Sequence, residues 1–209
     1  MFPVSLIFTS GVASGVNAYA AVLVLGLIGK YGHVAAIPGA LEKPAVLIAA
    51  AVLFCGQFVV GKVPVLDSAW DVVHTVLRPV VGGAIGVVVA QHGHAGTATT
   101  VAAAALGGGT ALTSHVVKTG TRMGINASPE PFSNIVASIL EDLGVVGIVS
   151  WAAYHPLPAA IVTAVILIGG IVLVILLAKR IRRAWRRRKE ARQRKRAGIP
   201  GDLPDDVPA

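Results

Sequence analysis

Six stretches of mostly apolar residues constrain this chain more than any other feature. They run at roughly 4–29, 44–61, 69–90, 97–118, 133–154 and 157–178, and a membrane-spanning helix needs about 20 such residues. Backbone amides in hydrocarbon must be hydrogen-bonded within the protein, which leaves helices and closed barrels. Barrel strands alternate apolar and polar residues, whereas these runs are continuous. The expectation is an all-α, polytopic transmembrane bundle of about six spans. Only 13% of the 209 residues are charged, against about 25% in a soluble domain, which excludes a disordered chain and an ordinary cytosolic enzyme. The first stretch has no basic flank and reads as a retained span, not a cleaved signal. Ser10, Ser14 and Asn17-Ala18-Tyr19 make it unusually polar, so it is a candidate for a broken helix.

The formal charge of +8 comes from one place. Twelve of the 18 Lys and Arg lie between Lys179 and Arg196, while residues 1–178 hold six basic and six acidic side chains. The expected organisation is a transmembrane domain at 1–178, a basic juxtamembrane helix at 179–196 and a disordered Pro-rich acidic tail at 197–209. Basic residues concentrate in cytoplasmic connections. With the tail cytoplasmic, that side holds Lys62, Lys118 and Arg122, and the other holds only Lys30 and Lys43. This predicts a multi-pass protein of the cell (inner or plasma) membrane with both termini inside. The basic helix is expected to hold anionic lipid headgroups; no base-reading motif points to nucleic acid.

Ionisable groups at bilayer depth are costly and mark function or structure. Asp67, Asp71, His74 and Arg78 follow at steps of 4, 3 and 4 and share one helical stripe. His115, Lys118 and Arg122 repeat the pattern on the fourth span, and Asn134, Ser138, Glu141 and Asp142 on the fifth. Three polar stripes must face one another or a wet cavity. His92 and His94 fall in a Gly-rich loop, and their spacing is a weak metal signal. The lone Cys55 excludes an internal disulfide. No catalytic residue, metal site or cofactor is expected.

Aligned with itself at an offset of 63, the chain places Asp67 on Glu130, Asp71 on Asn134, Thr75 on Ser138 and Arg78 on Glu141. Spans two and three thus repeat as spans four and five in parallel sense, about an axis along the membrane normal. Asp67 and Ser128-Pro129-Glu130 read as helix N-caps beside Lys62, Lys118 and Arg122, where anions are attracted. The repeat also suggests a mid-membrane pair of Arg78 with Glu141. Gly11/Gly15 and Gly82/Gly86 form small-xxx-small faces for helix packing or a homo-oligomer. Gly107, Gly108 and Gly109 are candidates to interrupt the fourth span.

These residues carry a resemblance. From Ser10-Gly11 and Asn17-Ala18-Tyr19 through Lys62-Val63-Pro64, Asp67, Asp71, His74-Thr75 and Arg78-Pro79, then His115, Lys118, Arg122, Asn126-Ala127-Ser128-Pro129-Glu130-Pro131, Ser133-Asn134 and Glu141-Asp142, most of residues 8–155 resembles the domain-of-unknown-function 4126 family of polytopic membrane proteins. The resemblance implies a fold and a residue set, not an activity. It also implies acids on the second span where this chain has Gln57 and Gly61, so a coupling role for that helix is not expected.

The leading functional expectation is a small-solute or ion transporter or channel. Its binding candidates are Asn17, Lys62, Asp67, Asp71, His74, Arg78, His115, Lys118, Arg122, Glu130, Asn134, Glu141 and Asp142. The alternatives are a structural or assembly protein whose charges are buried ion pairs, and a lipid-handling scramblase, flippase or intramembrane enzyme. No nucleophile motif or phosphate loop favours an enzyme.

Overall fold

Each apolar stretch becomes a helix, and proline starts most of them. A computed structural model describes residues 4–60, 64–126 and 131–196. The helices are α1 (Val4–Gly32), α2 (Pro44–Val60), α3 (Pro64–His92), α4 (Thr97–Asn126), α5 (Pro131–Tyr154) and α6 (Pro156–Arg196). Pro44, Pro64, Pro131 and Pro156 occupy first helical positions, where a missing N–H costs nothing. Asp67 therefore lies inside α3, not at its cap; Ser128, Pro129 and Glu130, the other expected cap, lie outside the described residues. Among the described residues five helices are long and apolar enough to cross a membrane; α2, with 17 residues, reaches about 25 Å. The chain is a multi-pass membrane protein built as a helical bundle.

The connections define two faces. The 33–43 and 93–96 connections lie on one face, the upper, where His92 meets Ala35; α2 and α4 end, and α3 and α5 begin, on the lower. Thus α2 and α4 descend while α3 and α5 rise, so the two helix pairs enter the membrane in the same sense. The α3–α4 pair is the most extensively packed, and α2 leans chiefly on α1.

The path of α1 departs from a plain span. Its backbone breaks at Asn17, which is extended (φ −147°, ψ 98°). Before the break, Gly11 lies against Gly107 and Thr110, and Gly15 against Ala111 and Ser114. The Val16 carbonyl accepts from Lys118 Nζ at 3.0 Å. Since α4 descends, residues 11–16 descend with it. After the break, Asn17 Nδ2 donates to Asp142 at 2.8 Å, and Gly32 lies against Tyr154. Since α5 rises, residues 17–32 rise with it. Lys118 and Glu141 are paired at 3.2 Å, so α4 and α5 share one depth there. The chain has turned back: α1 is a re-entrant hairpin with descending arm 4–16, ascending arm 18–32 and Asn17 at its tip. Residue 4 therefore sits on the upper face, where a crossing first span would put it on the lower. The first 29 residues carry no charge, so the positive-inside rule cannot register the reversal.

Glycines set how closely the descending arm approaches. In lipid, packing and not water exclusion drives helix association, and small residues allow backbones to meet. A Cβ on Gly82 would lie 2.6 Å from the Gly107 carbonyl, and one on Gly11 would lie 2.7 Å from that same oxygen. The Gly107–Gly109 run does not interrupt α4, which is helical throughout; Gly107 is a packing surface instead. The small-residue faces of α1 and α3 are occupied within the chain. The ascending arm supplies the apolar core, with Ala20, Ala21 and Leu25 meeting Ile85, Val89, Val149 and Ala152. Helix α6 turns Ala159 and Thr163 inward, and Gly170 lies on Val117.

The hairpin path is checked by single cysteines introduced at Val4, Lys43 and Met123 in a Cys55→Ser background. A membrane-impermeant thiol reagent should label positions 4 and 43 from one side and position 123 from the other. Labelling of positions 4 and 123 from the same side would restore a crossing α1.

Candidate functional site

Breaking a helix inside a bilayer leaves carbonyls without intrahelical donors. Here side chains replace them. The carbonyl of Gly15 accepts from Arg78 Nη1 at 3.3 Å, and that of Val16 from Lys118. On the other side of the break, Asn17 Oδ1 accepts from the Ala20 amide at 3.0 Å, an N-cap for the ascending arm. Ser14 Oγ donates to the Arg78 carbonyl at 3.2 Å, which ties the tip to α3 a second time. Asn17 is fully buried and Arg78 is 1% exposed. The tip lies about 20 Å below the upper end of α3.

Around the tip the polar stripes converge. Glu141 on α5 accepts from Arg122 Nε at 2.9 Å and Nη2 at 2.8 Å, a bidentate pair, and Lys118 adds a third contact. The sequence-level pairing of Arg78 with Glu141 does not form. The two stand at similar depth, as the repeat requires, but α4 intervenes and supplies Glu141 with its cations. Arg78 instead donates to His115 Nδ1 at 2.5 Å. Because a guanidinium only donates, Nδ1 must be an acceptor and His115 neutral. Its proton then sits on Nε2, which donates to Thr75 Oγ1 at 3.0 Å. His74 Nε2 meets Tyr19 Oη at 3.0 Å, with the rings edge to face at 5.5 Å.

The structure thus gathers Asn17, His74, Arg78, His115, Lys118, Arg122, Glu141 and Asp142 around one point. Lys62 and Glu130 lie outside the described residues. Asp67, Asp71 and Asn134 stand on the described backbone of α3 and α5, with their side chains outside the description. Sequence reasoning missed the roles of Tyr19, Ser14 and Thr75, and of the carbonyls of Gly15 and Val16. Tyr19 had a signal in its position two residues after Asn17. Backbone acceptors leave none. Among the described residues no His, Cys, Asp and Glu group could hold a metal ion. His92 ends α3 instead of lying in the loop; it is exposed and donates to the Ala35 carbonyl at 2.9 Å, joining α3 to the 33–43 connection.

Removing one member of a buried ion pair strands the other, at a cost of roughly 3–5 kcal/mol. Glu141→Ala should therefore lower the melting temperature sharply. The exchange Arg122→Glu with Glu141→Arg should recover part of that loss, measured by thermal unfolding in detergent. Equal destabilisation by the single and double variants would deny that the pair acts as a unit.

No curated protein and no solved structure shows significant similarity to the chain. The model of the family described as Domain of unknown function (DUF4126) matches residues 4–176, from the first turn of the hairpin to the middle of α6, and the chain belongs to that family.

Proposed function

We propose that the protein is a small-solute or ion transporter or channel, with its site at the tip of the re-entrant hairpin. The observation that carries this reading is the placement of a broken backbone among buried charges. Irregular backbone at membrane depth is found where protein buries it or where it lines a water-filled path, and half-helix ends recur in transport sites. Arg78, Lys118 and Arg122 stand with Glu141 and Asp142 there, and Tyr19 with His74 adds a hydrogen-bonding pair. In this reading the membrane is an inner or plasma membrane and the lower face is cytoplasmic, as the placement of Lys118 and Arg122 favours.

A second reading, a structural protein, is favoured by one observation. Glu141 is engaged by two cations at once, a geometry suited to holding α4 and α5 together. The basic stretch of α6 has a proposed partner in either case. Lys179, Arg180 and Arg183 with Leu173, Leu176 and Leu177 line a groove of about 330 Å³, which suits an anionic headgroup above acyl chains.

Purified protein in proteoliposomes tests the transport reading. Uptake of protons, sodium, potassium, chloride, urea and glycerol is compared with empty vesicles and with Asn17→Leu. At least one flux should exceed the empty-vesicle rate and fall at least about tenfold in the variant, the equivalent of one lost hydrogen bond of about 1.4 kcal/mol. If none of the six solutes moves faster than through lipid alone, the structural reading replaces transport.

A further inference from the structure

We infer that Gln57 is a solute contact of this site and that the solute is neutral and hydrogen-bonding. The inference rests on the transport reading and narrows it. Along α2 the inward positions are Leu47, Ala50 and Gln57, which are buried, and Phe54, which packs against the core. Their steps of 3, 4 and 3 form one stripe. Leu47 on that stripe lies against Gly26 of the ascending arm, so the stripe faces the hairpin.

Register then sets the depth of Gln57. The ascending arm and α2 run antiparallel from their shared upper connection. Asn17 lies nine residues below Gly26 and Gln57 ten below Leu47, or about 14 and 15 Å. Gln57 therefore stands level with the hairpin tip, on the α2 side.

Its chemistry is out of place there. Gln57 is 6% exposed, and its Oε1 has no hydrogen-bond partner. Buried polar groups are satisfied in folded proteins, and each exception asks for an explanation. Leu or Met would fill the same stripe without that penalty, as Leu47 does three turns higher. The charged side chains beside the tip have work of their own. Glu141 is held by Arg122 and Lys118, Asp142 accepts from Asn17, and Arg78 caps the Gly15 carbonyl. Among the described residues, a buried acceptor left unengaged at this depth is this neutral amide oxygen. It suits an uncharged solute carrying N–H or O–H donors, such as a small amide or polyol; a bare ion would need a compensating charge.

The test measures urea, glycerol, sodium and chloride flux in proteoliposomes of the wild type and of Gln57→Leu, with thermal unfolding of both in detergent. The wild type should pass urea or glycerol and not the ions. Gln57→Leu should lose that flux about tenfold or more while melting at the same or a higher temperature, because an unsatisfied amide oxygen has been removed. Ion flux without urea or glycerol flux overturns this inference and leaves the transport reading standing. Neutral-solute flux unchanged in the variant overturns the role of Gln57. A lower melting temperature in Gln57→Leu would make the amide a structural group, which also overturns it. Absence of every flux removes both readings.

Discussion

The interruption of the backbone at Asn17 is the constraint on which the rest of the bundle depends. In water a broken helix would exchange its missing hydrogen bonds for solvent. In a bilayer each unsatisfied group costs several kcal/mol, so a break is stable only where side chains supply partners. The break here has three such partners from three sources. Lys118 on α4 and Arg78 on α3 cap the descending arm, and Asn17 itself caps the ascending one. Arg78 and Lys118 are thereby fixed in depth and direction. Their own needs place His115 beside one and Glu141 beside the other.

Such caps work only if the tip stays at one height, and the glycine seam secures that. The descending arm meets α4 through Gly11 and Gly15, and α4 meets α3 through Gly107 against Gly82. At these points backbone carbonyls of α4 lie where a Cβ would stand, beside small side chains such as Thr110, Ala111 and Ser114. A larger residue at Gly11 would push the arm off α4, and one at Gly82 would part α3 from α4; either would draw the Gly15 and Val16 carbonyls away from their donors. Packing density and hydrogen bonding are therefore coupled: the small residues are what allow the long cations to reach.

Much of this was legible in sequence, and the limits have physical causes. Six helices follow from six apolar runs, because hydrocarbon admits few alternatives. The polar stripes at His74/Arg78, His115/Lys118/Arg122 and Glu141/Asp142 follow from helical periodicity, and they do converge. The reversal at Asn17 was not legible. A span and a hairpin of two half-length arms have the same length and hydropathy, and the segment carries no charge to report its orientation. The polar run around Asn17 marked the place of a break without its angle. The Arg78 and Glu141 pairing failed for a related reason: self-alignment gives equivalent depth, not adjacency, and only the packing of α4 decides which cations reach Glu141. The triple glycine misled because the same residue serves both breaks and close contacts.

The hairpin also explains why a near-neutral body should hold so many charges. A helix carries about half a positive charge at its N-terminus and half a negative charge at its C-terminus. A single broken span would point these ends at each other across the gap. A re-entrant hairpin turns both ends toward the same lower region, side by side: the C-terminal end of arm 4–16 beside the N-terminal end of arm 18–32. The first requires cations and receives Arg78 and Lys118. The second favours an anion and receives Asp142 through Asn17. Both signs are thus recruited within one small volume, and each long cation then sits where an acid is needed to balance it, as Glu141 does for Arg122 and Lys118. The six basic and six acidic residues of positions 1–178 cancel in number, and at the tip part of that cancellation has a structural origin. Opposite charges meet there because opposite helix ends do.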